Sequence, residues 1–136
     1  MYQKQINNSR TQKGLYVLQA IRGAITAAAN EATEILQQTT VLLRELLKAN
    51  GLQAQEVISI IFTATPDLNA AFPAAAARAL GLTEVALLDA VEIDVPGALA
   101  KTIRVLMLVD RPHSPRDVHH VYLGEAKRLR PDWAAR

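Results

Sequence analysis

Apolar residues first gather between Leu15 and Ile25 (LYVLQAIRGAI), broken by one Arg and one Gly. That run predicts a β-strand ending at Arg22-Gly23. From Asn30 to Asn50 the pattern changes. Ala32, Ile35, Leu36, Thr39, Leu42, Leu43, Leu46 and Leu47 recur at the i, i+3, i+4, i+7 spacing of one helix face. Asn30 is placed to cap the helix, with Glu31 and Glu34 in its first turns, and Asn50-Gly51 is a stop signal. Glu56 to Thr65 (EVISIIFTAT) is β-branched and almost wholly apolar, the pattern of a strand buried on both faces, ended by Pro66-Asp67. Phe72 to Leu80 predicts a short helix with Pro73 in its first turn and Gly81 beyond its end. Val85 to Ala90 predicts a second buried strand, and Val95-Pro96-Gly97 a turn. Ile103 to Val109 (IRVLMLV) predicts a third, with Arg104 interrupting one side. Pro112 to Asp117 is a predicted loop, and His120 to Leu129 a last strand or short helix. The order β-α-β-α-β-β-β predicts an α+β (mixed α/β) fold with helices against one sheet. Residues 1–14 are expected to form a polar tail and 15–136 a single domain, without repeats or low-complexity stretches.

The totals narrow the function classes. A chain of 136 residues fits one domain with a real core. Half the residues are hydrophobic, and 15 Lys and Arg against 13 acids leave a net charge of +2. That balance is too small to argue for nucleic acid. The basic positions Lys127, Arg128, Arg130 and Arg136 raise that reading, but aromatic residues are only 4% of the chain, leaving little surface for stacking bases. No apolar run is long enough to span a bilayer, and the N-terminus lacks the order of a secretion signal. There is no Cys, which excludes disulfides, thiolate nucleophiles and Cys-ligated zinc, and a cytoplasmic protein is expected.

The informative residues are charges in apolar company. Arg104 stands between Ile103 and Val105; it is either a solvated strand residue or a cation facing a cleft, where it would bind anions strongly. Arg22 is either a surface charge beside a turn or part of a functional loop. Arg78 on the short helix and Arg130 before Pro131 read by default as solvated charges. Glu92 and Asp94 form an E-x-D pair that could do acid–base work or hold a metal, though such a pair beside a turn is more often plain surface. His113, His119 and His120 lack zinc spacing, so no metal site is expected. Gly14, Gly23 and Gly97 form no phosphate-binding motif, and no G-x-S-x-G occurs. The inventory of several arginines, one or two acids and a Tyr suits a small polyanion better than covalent chemistry.

Taken together, Ile21-Arg22-Gly23-Ala24, Thr63-Ala64-Thr65-Pro66-Asp67-Leu68, Ala71-Phe72-Pro73-Ala74 with Arg78, Glu92-Ile93-Asp94-Val95, Ile103-Arg104-Val105, His120-Val121-Tyr122-Leu123 and Leu129-Arg130-Pro131-Asp132 resemble, in this order, the monofunctional chorismate mutases of the Bacillus type. The resemblance runs from about Tyr16 to Asp132. It implies a mixed β-sheet with helices on one face, assembled as a homotrimeric pseudo-α/β barrel with an active site at each subunit interface. It further implies a cofactor-free rearrangement of chorismate to prephenate. Arg104, Glu92 and Arg22 would be catalytic, Arg104 facing the breaking bond. Tyr122 and Arg22 would bind substrate carboxylates. Phe72, Ala74, Arg78 and Asp89 would approach from the neighbouring subunit, and Leu129 and Arg130 belong to the segment that covers the site.

Two positions depart from the family pattern. Ala75 stands where the Bacillus enzyme has a Lys, and Asp89 where it has a Cys. An imine-deaminase-like or other carboxylate-binding trimer on a similar scaffold is the competing reading, with Arg104 as carboxylate binder in both.

Overall fold

The computed structural model describes residues 16–112 and 117–134. The expectations for residues 1–14, for most of the Pro112–Asp117 loop including His113, and for Arg136 fall outside them. Five strands form one mixed sheet in the order β3-β2-β4-β1-β5. They are β1 (Tyr16–Thr26), β2 (Val57–Ala64), β3 (Ala86–Val91), β4 (Thr102–Pro112) and β5 (Val121–Tyr122). β4 is antiparallel to both β1 and β2, while β3 runs parallel to β2 and β5 parallel to β1. The described residues also form three α-helices, α1 (Ala32–Ala49), α2 (Ala74–Ala79) and α3 (Pro131–Ala134), with 3-10 turns at Ala54–Glu56 and Gly124–Arg128. None of them is long and apolar enough to cross a membrane.

The period of the long helix holds. Ile35, Thr39, Leu42, Leu43 and Leu46 of α1 are buried. They lie over Ile21 and Ile25 of β1, Ile60 and Phe62 of β2, and Ile103, Val105, Met107 and Val109 of β4 in one core. Gly23 is what lets α1 sit so close. A Cβ there would lie 3.1 Å from the Cδ1 atoms of Leu42 and Leu46 and from the Val121 carbonyl. Gly51 and Gly81 end their helices at φ of 59° and 93°, as their sequence positions predict.

Several local expectations are corrected. Arg22-Gly23 is not a strand end: β1 continues to Thr26, because β4 pairs with it along its whole length. Asn30 does not cap α1. Its Oδ1 accepts the backbone N–H groups of Asn69 and Ala70 instead, leaving Glu31 at the cap position without a side-chain bond. Ala32 is exposed. β2 and β3 are not buried on both faces, since helices cover only one side of the sheet. Ile58, Ile61 and Leu88 are exposed on the described chain. A bulge between Val57 and Ser59 shifts the alternation of β2, so that Val57 joins Ile60 and Phe62 under the helices. The segment 120–129 holds both a two-residue strand and a 3-10 turn, and α3 follows it.

Candidate active site

Arg22, Arg104 and Tyr122, three of the predicted site residues, lie on the face of the sheet without helices. Its registers set up a transverse row across all five strands: Tyr122 pairs with Ala24, Ala24 with Arg104, Arg104 with Thr63, and Thr63 with Ala90. The next row sets Arg22 against Leu106, Leu106 against Ile61, and Ile61 against Leu88. Side chains at paired positions emerge on the same face. Arg22 and Arg104 are therefore diagonal neighbours on that open face.

Glu92 reaches Arg104 from just beyond β3. Its backbone N–H donates to the Ala64 carbonyl at 2.9 Å, which carries the strand pairing one residue further. Its Oε1 accepts from Thr63 Oγ1 at 2.7 Å and lies 3.0 Å from Arg104 Nε. The latter contact is an ion pair without the alignment of a hydrogen bond. The Glu92 side chain is 17% exposed and that of Arg104 33%, so the pair is only partly screened by water. Nε is buried, and the exposed part of Arg104 faces a groove of about 630 Å³. Arg22, Ile61, Thr63, Ile93 and Leu106 also line that groove.

Tyr122 stands at the far end of the row, 4% exposed, and its hydroxyl has no hydrogen-bond partner among the described residues. A buried hydroxyl costs stability unless something satisfies it. It packs with Ala24 and Ala126 in a small cluster that Leu129, Trp133 and Ala134 flank. Arg130 binds Asp132 through two bonds, at 3.1 and 2.9 Å. That contact raises the pKa of Arg130 and lowers that of Asp132.

The remaining predicted site residues lie elsewhere on the chain. Phe72, 71% exposed, and Asp89 line a second cavity of about 410 Å³ with Pro66, Pro73 and Val91, at the β3 edge of the sheet. Ala74 donates its backbone N–H to Asp89 Oδ1 at 3.0 Å. Arg78 is exposed on α2, and Ala74 is buried. Thus the chain unites Arg22, Glu92 and Arg104, sets Tyr122 on the row of Arg104, and keeps Phe72 and Asp89 apart from them.

Burial raises the pKa of Asp89, and the Ala74 N–H and the Arg78 charge offset this only in part. A carboxyl whose folded pKa lies above its unfolded value favours folding most when protonated; that contribution fades as pH rises through the folded pKa. Asp89→Asn keeps an acceptor for Ala74 and removes the charge. It is expected to raise Tm at neutral pH, with the difference from wild type shrinking in mild acid. A Tm difference that grows as the pH falls would contradict this.

Three residues of this site escape the sequence patterns. Thr63 bonds Glu92, His120 stacks on Trp133, and Trp133 of α3 packs against the cluster of Ala24, Tyr122 and Ala126. A lone tryptophan just after Arg130-Pro131-Asp132 was the available signal, because so large a ring near a chain end is rarely idle. Asp94 of the E-x-D pair is exposed, and among the described residues no three His, Asp or Glu side chains are grouped as metal ligands.

Comparison with known proteins identifies the family. The family model for chorismate mutase type I matches residues 18–133. The chorismate mutase AroH of Thermus thermophilus is 49% identical over 117 residues, covering 85% of this chain and 96% of that protein. The AroH of Bacillus subtilis is 40% identical over 117 residues, covering 85% of this chain and 92% of that protein. A solved chorismate mutase from Clostridium thermocellum superimposes with a TM-score of 0.79 at 53% identity, covering 82% of this chain and 99% of that one. With the arginine-lined groove on the open sheet face and matches of this extent, the chain belongs to the type I chorismate mutases.

Proposed function

We propose that the groove around Arg104 binds chorismate and rearranges it to prephenate, with Arg104 as the main catalytic group. The observation that carries this reading is the partly dry Arg104–Glu92 pair, opening beside Arg22 into one groove. Chorismate has two carboxylates, a hydroxyl and an enol ether. The reaction breaks one C–O bond and forms one C–C bond within the molecule, without proton transfer, nucleophile or redox partner. The protein is left with two tasks: to hold the flexible side chain in its compact reactive shape, and to stabilise charge growing on the ether oxygen.

Each residue fits one of these tasks. Arg104 presents a permanently charged planar fork that can meet the ether oxygen and a carboxylate together. Glu92, fixed by Thr63, holds that fork and accepts from the substrate hydroxyl. Arg22 binds a carboxylate, and the unpartnered Tyr122 hydroxyl donates to one. Leu129 and Arg130 close over the groove. The cytoplasm is the compartment proposed, in keeping with a chain that has no Cys to oxidise.

The working form is a homotrimer with shared sites. Leu18, Ile61, Leu88 and Leu106 expose apolar surface on the helix-free face, which a second copy would bury. Phe72, Ala74, Arg78 and Asp89 belong to the β3 edge, and a copy docked there brings them to a neighbour's Arg104. Mixing tests this. Arg104→Ala and Phe72→Asp each spoil a different half of the site. Unfolded and refolded together, they are expected to regain chorismate-consuming activity, since some interfaces receive both intact halves. A refolded mixture no more active than its components would contradict site sharing.

A further inference from the structure

The sole tryptophan of the chain is held on more than one side. His120 stacks on Trp133 with ring centroids 3.9 Å apart and planes inclined by 25°. The guanidinium carbon of Arg130 lies 3.4 Å from the same indole. Two flat groups at van der Waals distance cannot share one face of a ring, so the indole is the middle layer between imidazole and guanidinium. Arg22 Cζ stands 5.8 Å from the ring, and the Tyr122 ring is tilted against it at 5.9 Å.

Each outer layer is anchored independently. His120 Nδ1 accepts the backbone N–H of Arg22 at 2.9 Å, tying the imidazole to β1. Asn50, at the end of α1, fixes the neighbouring residue: its Nδ2 donates to the His119 carbonyl, and its Oδ1 accepts the His119 N–H. On the other side, Arg130 is pinned by its two bonds to Asp132. The stack thus connects the strand that carries Arg22 to the turn that carries Arg130.

We propose that Trp133 is a positioning residue for substrate binding, holding Arg130 and the C-terminal turn against the β1–β5 edge before substrate arrives. The proposal rests on the groove around Arg104 being the active site. Without the indole, the Arg130–Asp132 pair must be docked against the sheet during each binding event. Apparent affinity then falls with the fraction of molecules already in the competent arrangement, whereas the saturated complex is ordered in either case. The effect therefore falls on KM and spares kcat.

Trp133→Leu keeps apolar bulk and loses the flat ring; Trp133→Phe keeps a ring for both layers. With chorismate as substrate, Trp133→Leu is expected to raise KM about fivefold with kcat within about twofold of wild type, and Trp133→Phe to recover most of the loss. An unchanged KM overturns the proposal. So does a fall in kcat that tracks a fall in Tm, which would make Trp133 a structural prop. A second arm needs no substrate. Arg130→Ala uncovers one face of the indole, so quenching of its emission by acrylamide, which is uncharged, should increase; unchanged quenching overturns the stack. Arg104→Ala, assayed in parallel, separates the two levels. Near-normal activity in that variant sinks the site assignment and this proposal with it. A crippled Arg104→Ala beside an unchanged KM in Trp133→Leu sinks the Trp133 proposal alone.

Discussion

Arg104→Ala is expected to lower kcat/KM for chorismate by about a hundredfold to a thousandfold, or about 3–4 kcal/mol of transition-state stabilisation. The magnitude follows from where the guanidinium sits. Arg104 lies near the start of β4, the central strand of the sheet, between buried Ile103 and Val105, on a face where only its outer part meets solvent. A charge on the ether oxygen exists only while the C–O bond is stretched, so a donor aimed there favours the transition state over the ground state. Lys at this position should recover little, since an ammonium is a point charge and cannot engage two acceptors in one plane. Steady-state kinetics are the check, and a loss below about tenfold would remove Arg104 from the central role.

Glu92→Ala is expected to be the next most damaging change, costing about 2 kcal/mol, or about thirtyfold in kcat/KM. The substitution leaves Arg104 Nε buried without its counter-charge and frees Thr63 Oγ1 from its acceptor. The estimate stays below that for a fully buried pair because the Arg104 side chain is a third exposed. Glu92→Gln keeps an oxygen for Thr63 and loses the charge, so it should fall between wild type and Ala. Equal rates for Glu92→Ala and wild type would return the E-x-D pair to plain surface.

Much of this was legible in the chain itself. The period of α1, the glycines that end α1 and α2, and the strands around Phe62 and Met107 followed from the apolar pattern. The role proposed for Arg104 did not follow from the pattern alone, because a strand Arg facing solvent and one facing a cleft read identically. The ordered strings of the family resemblance favoured the cleft, and membership of the family decides against the imine-deaminase reading. The burial of β2 and β3 was misread for a physical reason. A continuous apolar run implies cover on both faces, but does not say whether the cover comes from the same chain. Ile61 and Leu88 are apolar and exposed on the described chain, and the proposed trimer would cover them. Pairing missed the rest. The Thr63–Glu92 and His120–Trp133 contacts join residues far apart in sequence, and no local spacing encodes them.

The most direct measurement is a crystal structure with a bicyclic dicarboxylate analogue of the transition state. The ether oxygen of the analogue is expected within hydrogen-bond reach of the Arg104 guanidinium, with Phe72 of an adjacent copy against its ring. An analogue seated away from residue 104, or a guanidinium 104 turned into bulk water, would contradict the assignment.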